Sequence, residues 1–96
     1  MVKTGPIEIL PAPSAEEVKK IKASWGTWGC GVSNFPWTYS DDETALILEG
    51  EVTVTPADKS LPAVTIKAGD FVKFPKDMSC TWDVTKAINK HYNFGS

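Results

Sequence analysis

The chain has 96 residues and a formal net charge of -2 at pH 7, with 42% apolar and 23% charged residues. This length builds one domain around one core, and the composition is that of a folded soluble protein rather than a disordered one. The acidic balance argues against nucleic acid as a partner, since phosphate binding needs a basic face. No apolar run reaches the ~18 residues that a membrane-spanning helix needs. We therefore expect neither nucleic acid nor a membrane as a partner.

Residues 1–6 have neither the apolar core of a signal peptide nor the arginine- and serine-rich pattern of a transit peptide. We expect a cytoplasmic protein. In that compartment the two cysteines, Cys30 and Cys80, are predicted to remain free thiols rather than to pair.

The first predicted elements are a short strand over 7–10 and a short helix over 15–22. Ser14 and Glu17 have the spacing of a capping box, in which each side chain bonds the other residue's backbone amide. The sequence therefore predicts a helix that begins directly after Ser14.

From residue 31 onward the pattern is that of short strands. Gly50 is expected to form a tight turn between two of them, and the predicted strands cover 35–39, 45–49, 51–55, 64–66, 71–74, 80–84 and 91–94. Short strands at intervals of about 8 to 12 residues, with one small helix, predict an all-β barrel or double-sheet jelly roll.

Two blocks of fixed spacing run through these strands. The first has Gly31, Trp37, Tyr39, Glu43 and Gly50, and the second has Gly69, Pro75, Asp77 and Cys80. Both blocks resemble the conserved barrel motifs of the cupin superfamily, and Trp28, Trp82 and the 90–92 stretch make the chain similar to the small cupins grouped with ureidoglycine aminohydrolase and ethanolamine-utilisation cupin domains. The resemblance covers about residues 5–94. It implies one cupin domain over 1–96, a double-stranded β-helix whose barrel core spans about 30–94.

The resemblance also implies where a metal would lie. Metal-dependent cupins hold manganese, iron, nickel or zinc through three histidines and one glutamate, and the matching positions here are Trp37, Tyr39, Glu43 and Cys80. Indole has no lone pair for a metal, and a phenol is a poor ligand at neutral pH. Because zinc sites take three or four good ligands, we expect no metal cofactor, with a divalent ion at Glu43 and Cys80 as the weaker alternative.

The same positions, with Trp82, are the predicted ligand-binding set. Trp37 and Trp82 offer flat indole walls for a small polar or aromatic molecule, and the full set is Trp37, Tyr39, Glu43, Cys80 and Trp82. The alternative is that both tryptophans fill a narrow barrel as core residues.

Glu43, Tyr39 and Cys80 are also the candidate catalytic residues. A partly desolvated Glu43 would accept a proton and Tyr39 would donate a hydrogen bond, whereas Cys80 would be a nucleophile only as a thiolate. The alternatives are that Glu43 pairs with a lysine at the barrel rim and that Cys80 is a small hydrophobic core residue.

Three other residues are predicted to lie outside a ligand pocket. Trp25 and Trp28 are expected to pin the N-terminal segment onto the sheet, and His91 is expected to be structural or exposed.

Three functions remain open, because a fold does not choose between them. The first is metal-free binding of a small metabolite. The second is an enzyme acting on a small nitrogen compound, similar to ureidoglycine aminohydrolase, through Glu43, Tyr39 and Cys80. The third is a plugged barrel with a structural or assembly role. The resemblance also makes a homodimer plausible.

Overall fold

The computed structural model describes residues 7–94, so the expectation that residues 1–6 lack a targeting signal lies outside the described part. The described chain contains one helix and seven strands. Their bounds are β1 Glu8–Leu10, α1 Ala15–Ser24, β2 Gly26–Cys30, β3 Ser33–Thr38, β4 Glu43–Pro56, β5 Val64–Lys67, β6 Phe71–Phe74 and β7 Ser79–Phe94.

Helix α1 begins at the predicted capping box. The Ser14 hydroxyl accepts from the Glu17 amide at 3.2 Å, and the Glu17 carboxylate accepts from the Ser14 amide at 3.1 Å. Ile21 is the buried residue of the helix. Trp25 follows the helix and stacks on Phe71, with ring centroids 6.1 Å apart. The predicted anchoring role of Trp25 is consistent with this contact, which ties the end of the helix to β6.

The two long strands, β4 and β7, are the centre of the sheet. They pair antiparallel with one another, and β4 also pairs with β6 and β5, whereas β7 also pairs with β3 and β2. The β1 strand extends the sheet by pairing with β6. Since each long strand has two short partners along its other edge, the sheet is held together by the β4–β7 ladder.

The predicted tight turn at Gly50 is wrong. Gly50 lies inside β4, where the pairing of β4 with β7 shifts register between Ile47 and Val52. Its φ of +92° suits glycine, and a Cβ there would lie 2.2 Å from the Ala87 carbonyl oxygen. The glycine is therefore used for a β-bulge and a close approach of two strands, not for a hairpin turn.

The core lies between the inward faces of the curved sheet. Alternating residues of β4 and β7 point into it, so that Cys80, Trp82 and Val84 share one buried face as predicted. The largest fully buried side chains are Tyr39, Phe74, Ile47, Ile66, Val52, Val54, Val72 and Val84. The all-β prediction with one short helix is confirmed. Within residues 7–94, no helix is long and apolar enough to cross a membrane.

Candidate functional site

The barrel holds a cavity of about 190 Å³ that opens to solvent. We call it the aromatic cavity. Seven of its nine lining residues are aromatic; the lining consists of Trp28, Phe35, Trp37, Tyr39, Glu43, Trp82, Lys90, Tyr92 and Phe94. Strands β2, β3, β4 and β7, with Tyr39 directly after β3, supply these side chains. The barrel interior is therefore partly open rather than plugged.

The floor of the aromatic cavity is rigid. The Trp82 indole N–H donates to the Tyr39 hydroxyl at 3.1 Å, and the Tyr39 ring stacks on Phe74 at 4.9 Å with only 9° between the planes. Phe35 lies nearly parallel to Trp82, with centroids 6.2 Å apart. Because Tyr39 and Trp82 are also buried, these flat surfaces are held in fixed positions.

The mouth of the aromatic cavity is formed by exposed aromatic rings. Trp28 is 37% exposed, Trp37 49% and Phe94 47%. Trp28 packs edge-on against Trp82 at 5.9 Å, and Tyr92 packs edge-on against Phe94 at 5.3 Å. Large apolar side chains left accessible around a concave site are a common feature of ligand-binding grooves.

The charged part of the lining is an ion pair. The Lys90 ammonium donates to a carboxylate oxygen of Glu43, and the two side chains are only 7% and 3% exposed. Burying two charges away from water is costly unless they pair closely. Glu43 thus lies inside the barrel, as predicted. It also pairs with a lysine, as the alternative had it, but the pair is buried and does not lie at the barrel rim.

The Lys90 ammonium also lies against aromatic faces. Its nitrogen is 4.9 Å from the Trp82 ring centroid, 5.2 Å from that of Trp28 and 5.9 Å from that of Tyr92. The negative faces of these rings attract a cation. The ammonium is therefore stabilised by a carboxylate on one side and by an aromatic cage on the other.

Tyr39 is neutral at ordinary pH. Burial raises the pKa of its phenol far above the usual value, the negative charge of Glu43 raises it further, as would ionisation of Cys80 at alkaline pH, and the hydrogen bond from Trp82 offsets part of the shift. A phenol that accepts from Trp82 and keeps its proton is suited to donating a hydrogen bond, and it is not suited to binding a metal.

Cys80 does not line the aromatic cavity. Its thiol is buried and donates to the Trp37 carbonyl oxygen at 3.6 Å, and burial raises its pKa to about 11. A thiol that remains protonated is a weak nucleophile. The geometry therefore matches the small hydrophobic alternative for Cys80. Both Cys30 and Cys80 are free thiols, as predicted.

The four residues at the cupin ligand positions do not fit a divalent metal. The Glu43 carboxylate is already neutralised by Lys90, whose positive charge would repel a second cation at that place. Tyr39 and Cys80 hold their protons and Trp37 has no lone pair. Among residues 7–94, no group of three histidine, cysteine, aspartate or glutamate residues is arranged to hold a metal ion.

Four of the five predicted ligand-binding residues lie together, namely Trp37, Tyr39, Glu43 and Trp82, and the fifth, Cys80, does not join them. The placement of Trp28 away from the pocket is wrong, because β2 brings its ring to the cavity mouth. His91 lies outside the lining and is buried, with Nδ1 3.4 Å from the Gly26 carbonyl oxygen.

Besides Trp28, sequence reasoning missed four further lining residues as members of the site, namely Phe35, Lys90, Tyr92 and Phe94. Lys90 and Tyr92 carried a usable signal. They follow Ile88 at every second position of β7, so all three point to the same face of that strand. A lysine on the face of an inward isoleucine indicates a buried, paired cation.

Comparison with known proteins agrees with this architecture. The chain matches the EutQ-like cupin domain family over residues 19–92. It is similar to the crystal structure of a DUF861 family protein from Thermotoga maritima, with 39% identity, a TM-score of 0.82, and coverage of 93% of this chain and 99% of that one. Among proteins of curated function, no sequence matches this chain significantly.

Two ethanolamine-utilisation proteins share the fold. A proposed ethanolamine utilization protein Q from Salmonella typhimurium is 25% identical, with a TM-score of 0.61, and the alignment covers 90% of this chain and 64% of that one. The EutQ protein of Clostridium difficile is 17% identical, with the same TM-score and coverage, and shows the fold alone. The cupin jelly-roll prediction is confirmed, and the chain belongs to the EutQ-like cupin domain family.

Proposed function

We propose that this protein binds a small ring-containing metabolite in the aromatic cavity, without a metal ion. The observation that carries the proposal is a solvent-open cavity lined by seven aromatic side chains with one buried ion pair among them. A concave, largely apolar site with a few convergent polar groups is the usual form of a small-molecule site.

The size of the cavity limits the ligand. An engineered apolar cavity of about 150 Å³ holds benzene. The aromatic cavity, at about 190 Å³, therefore has room for one six-membered ring and a short substituent. Larger ligands would have to extend past Trp28, Trp37 and Phe94 into solvent.

The enzyme alternative has less support. Glu43 as a base is neutralised by Lys90, and Cys80 lies outside the cavity as a protonated thiol. Ethanolamine utilisation is stated for the Salmonella relative, and the present chain spans 64% of that protein. A hydrolase acting on a small nitrogen compound, a homodimeric state and a cytoplasmic location all stay predictions.

The binding test uses the four tryptophans as separate reporters. Titration with benzyl alcohol, followed by the indole N–H signals in a ¹H–¹⁵N correlation spectrum, should shift the signals of Trp28, Trp37 and Trp82. The signal of Trp25, which stacks on Phe71 away from the cavity, should not move and is the internal control.

A matched pair of variants completes the test. Trp37→Ala removes a half-exposed cavity wall and should weaken binding, whereas Trp25→Ala should leave it unchanged. If no indole signal shifts up to about 10 mM ligand, tenfold above a Kd of 1 mM, the proposal fails.

A further inference from the structure

The ion pair in the aromatic cavity retains unused hydrogen-bonding capacity. An ammonium has three N–H donors and a carboxylate has two acceptor oxygens. Within residues 7–94, Lys90 uses one N–H donor for one Glu43 oxygen. Its ammonium otherwise lies against the ring faces of Trp28, Trp82 and Tyr92, which do not use its other donors in conventional hydrogen bonds. A donor and an acceptor therefore stand side by side at the cavity wall.

The charge of this pair selects against ionic ligands. Lys90 and Glu43 neutralise one another, so the cavity presents a dipole and no net charge. An anionic ligand that reached Lys90 would lie against the Glu43 carboxylate, and a cationic one that reached Glu43 would lie against the ammonium. Either ligand would also lose its hydration among aromatic side chains with no full counter-charge in return.

The remaining lining selects for flat ligands. Trp28 and Trp37 expose indole surface at the mouth, and Trp82 presents a fixed ring at the floor. Flat aromatic walls favour a planar ring, which can stack on one face or pack edge-on against another.

We infer that the ligand is a neutral planar heterocycle with a ring N–H next to a ring C=O, that is, a lactam or cyclic ureide. Its carbonyl oxygen accepts from Lys90 and its N–H donates to Glu43. In a cyclic amide the C=O and N–H groups lie side by side on one edge of the ring. The Lys90 ammonium and the Glu43 carboxylate likewise lie side by side in the cavity, so one ligand edge can meet both. This inference rests on the proposed function and specifies the ligand class of that same site.

The test compares matched six-membered rings on the wild-type protein by calorimetry and by the same indole signals. The probes are 2-pyridone, N-methyl-2-pyridone, benzoate and benzylammonium. We expect 2-pyridone to bind at least tenfold more tightly than its N-methyl analogue, because methylation removes the donor to Glu43, and more tightly than either ion.

A double variant separates hydrogen bonding from steric fit. Glu43→Leu with Lys90→Met replaces the ion pair by apolar groups of similar size, an exchange that folded proteins tolerate. In that variant the two pyridones should bind with similar affinity. If N-methyl-2-pyridone remains at least tenfold weaker there, its methyl group clashes with the walls and the inference is overturned.

The outcomes distinguish this inference from the proposed function. Equal binding of all four rings to wild type, or tightest binding of benzoate or benzylammonium, overturns the lactam assignment and leaves a small-molecule site in place. Absence of binding by every ring overturns both.

Discussion

Lys90 reaches Glu43 although the β4–β7 ladder places Lys90 opposite Ile47 and places Glu43 opposite Phe94. The two side chains must extend towards one another along the strands to meet. Glu43 and Ile47 point to the same face of β4, so the ion pair lies on the core side of the sheet. This contact places both charges of the aromatic cavity on the two strands that hold the sheet together.

Removing one partner of the buried pair should destabilise the protein strongly. We expect Lys90→Met to lower the free energy of unfolding by about 3–5 kcal/mol, because it leaves the Glu43 charge buried without a partner. The double variant Glu43→Leu/Lys90→Met should recover most of that loss. Urea denaturation measures both, and Lys86→Met, an exposed change on the same strand, should stay within about 0.5 kcal/mol of wild type. A double variant no more stable than Lys90→Met would contradict the pairing.

Stability should fall at alkaline pH. The pKa of Cys80 rises from 9.0 to about 11 on folding, so between these values the folded state binds more protons than the unfolded state. The unfolding free energy therefore decreases as pH rises from about 9 to 11, and burial of Tyr39 acts in the same direction. Denaturation midpoints at pH 7.5 and 10.5 test this, and Cys80→Ala should show a smaller drop than wild type. An equal drop in both proteins would show that Cys80 does not contribute.

The two thiols should differ in reactivity. Cys30 is half-buried at the end of β2, whereas Cys80 is buried and protonated at neutral pH. At pH 8 we expect iodoacetamide to modify Cys30 and to leave Cys80 unmodified in the folded protein. Mass spectrometry of Cys30→Ser and Cys80→Ser separates the two rates, and equal rates would argue against a shielded Cys80.

Gly50 and Gly69 both have a positive φ, so Gly69 is a matched control for a substitution of Gly50 at the β-bulge. At Gly50 a Cβ would lie 2.2 Å from the Ala87 carbonyl oxygen, whereas at Gly69, with φ +95°, nothing lies within 4 Å. Gly69→Ala should cost about 1 kcal/mol of backbone strain, and Gly50→Ala should cost more because β4 and β7 must also separate. Thermal unfolding of both variants measures the difference. If both variants lose a similar amount of stability, backbone strain at positive φ alone requires glycine at position 50, and the close approach of β4 and β7 does not.

The alternating patterns predicted the fold well because they depend on local residue chemistry. The capping box at Ser14, the inward face of Cys80, Trp82 and Val84 and the short strands all follow from spacing within a few residues. Gly50 was misread because a glycine with positive φ serves a turn or a bulge equally well. Only the long-range approach of Ala87 decides between them.

The members of the candidate site were predicted only in part. Trp37, Tyr39, Glu43 and Trp82 were placed together by a family resemblance that carries long-range information. The alternation of Ile88, Lys90 and Tyr92 indicates that Lys90 points inward, but its meeting with Glu43 depends on the pairing of β7 with β4. Trp28 reaches the aromatic cavity through the pairing of β2 with β7. No local pattern encodes either pairing. The separation of Cys80 from the cavity depends on how its thiol turns towards the Trp37 carbonyl, which spacing does not determine.

The aromatic cage around the Lys90 ammonium binds a primary amine that belongs to the protein's own chain. Lys90→Ala would remove the ammonium and the methylene groups next to it and leave an empty space of the same shape, with Glu43 as counter-ion. Millimolar n-butylammonium should then restore part of the lost melting temperature, by the linkage that lets any ligand of the folded state stabilise it. The same barrel would thereby become a receptor for alkylamines through a single truncation.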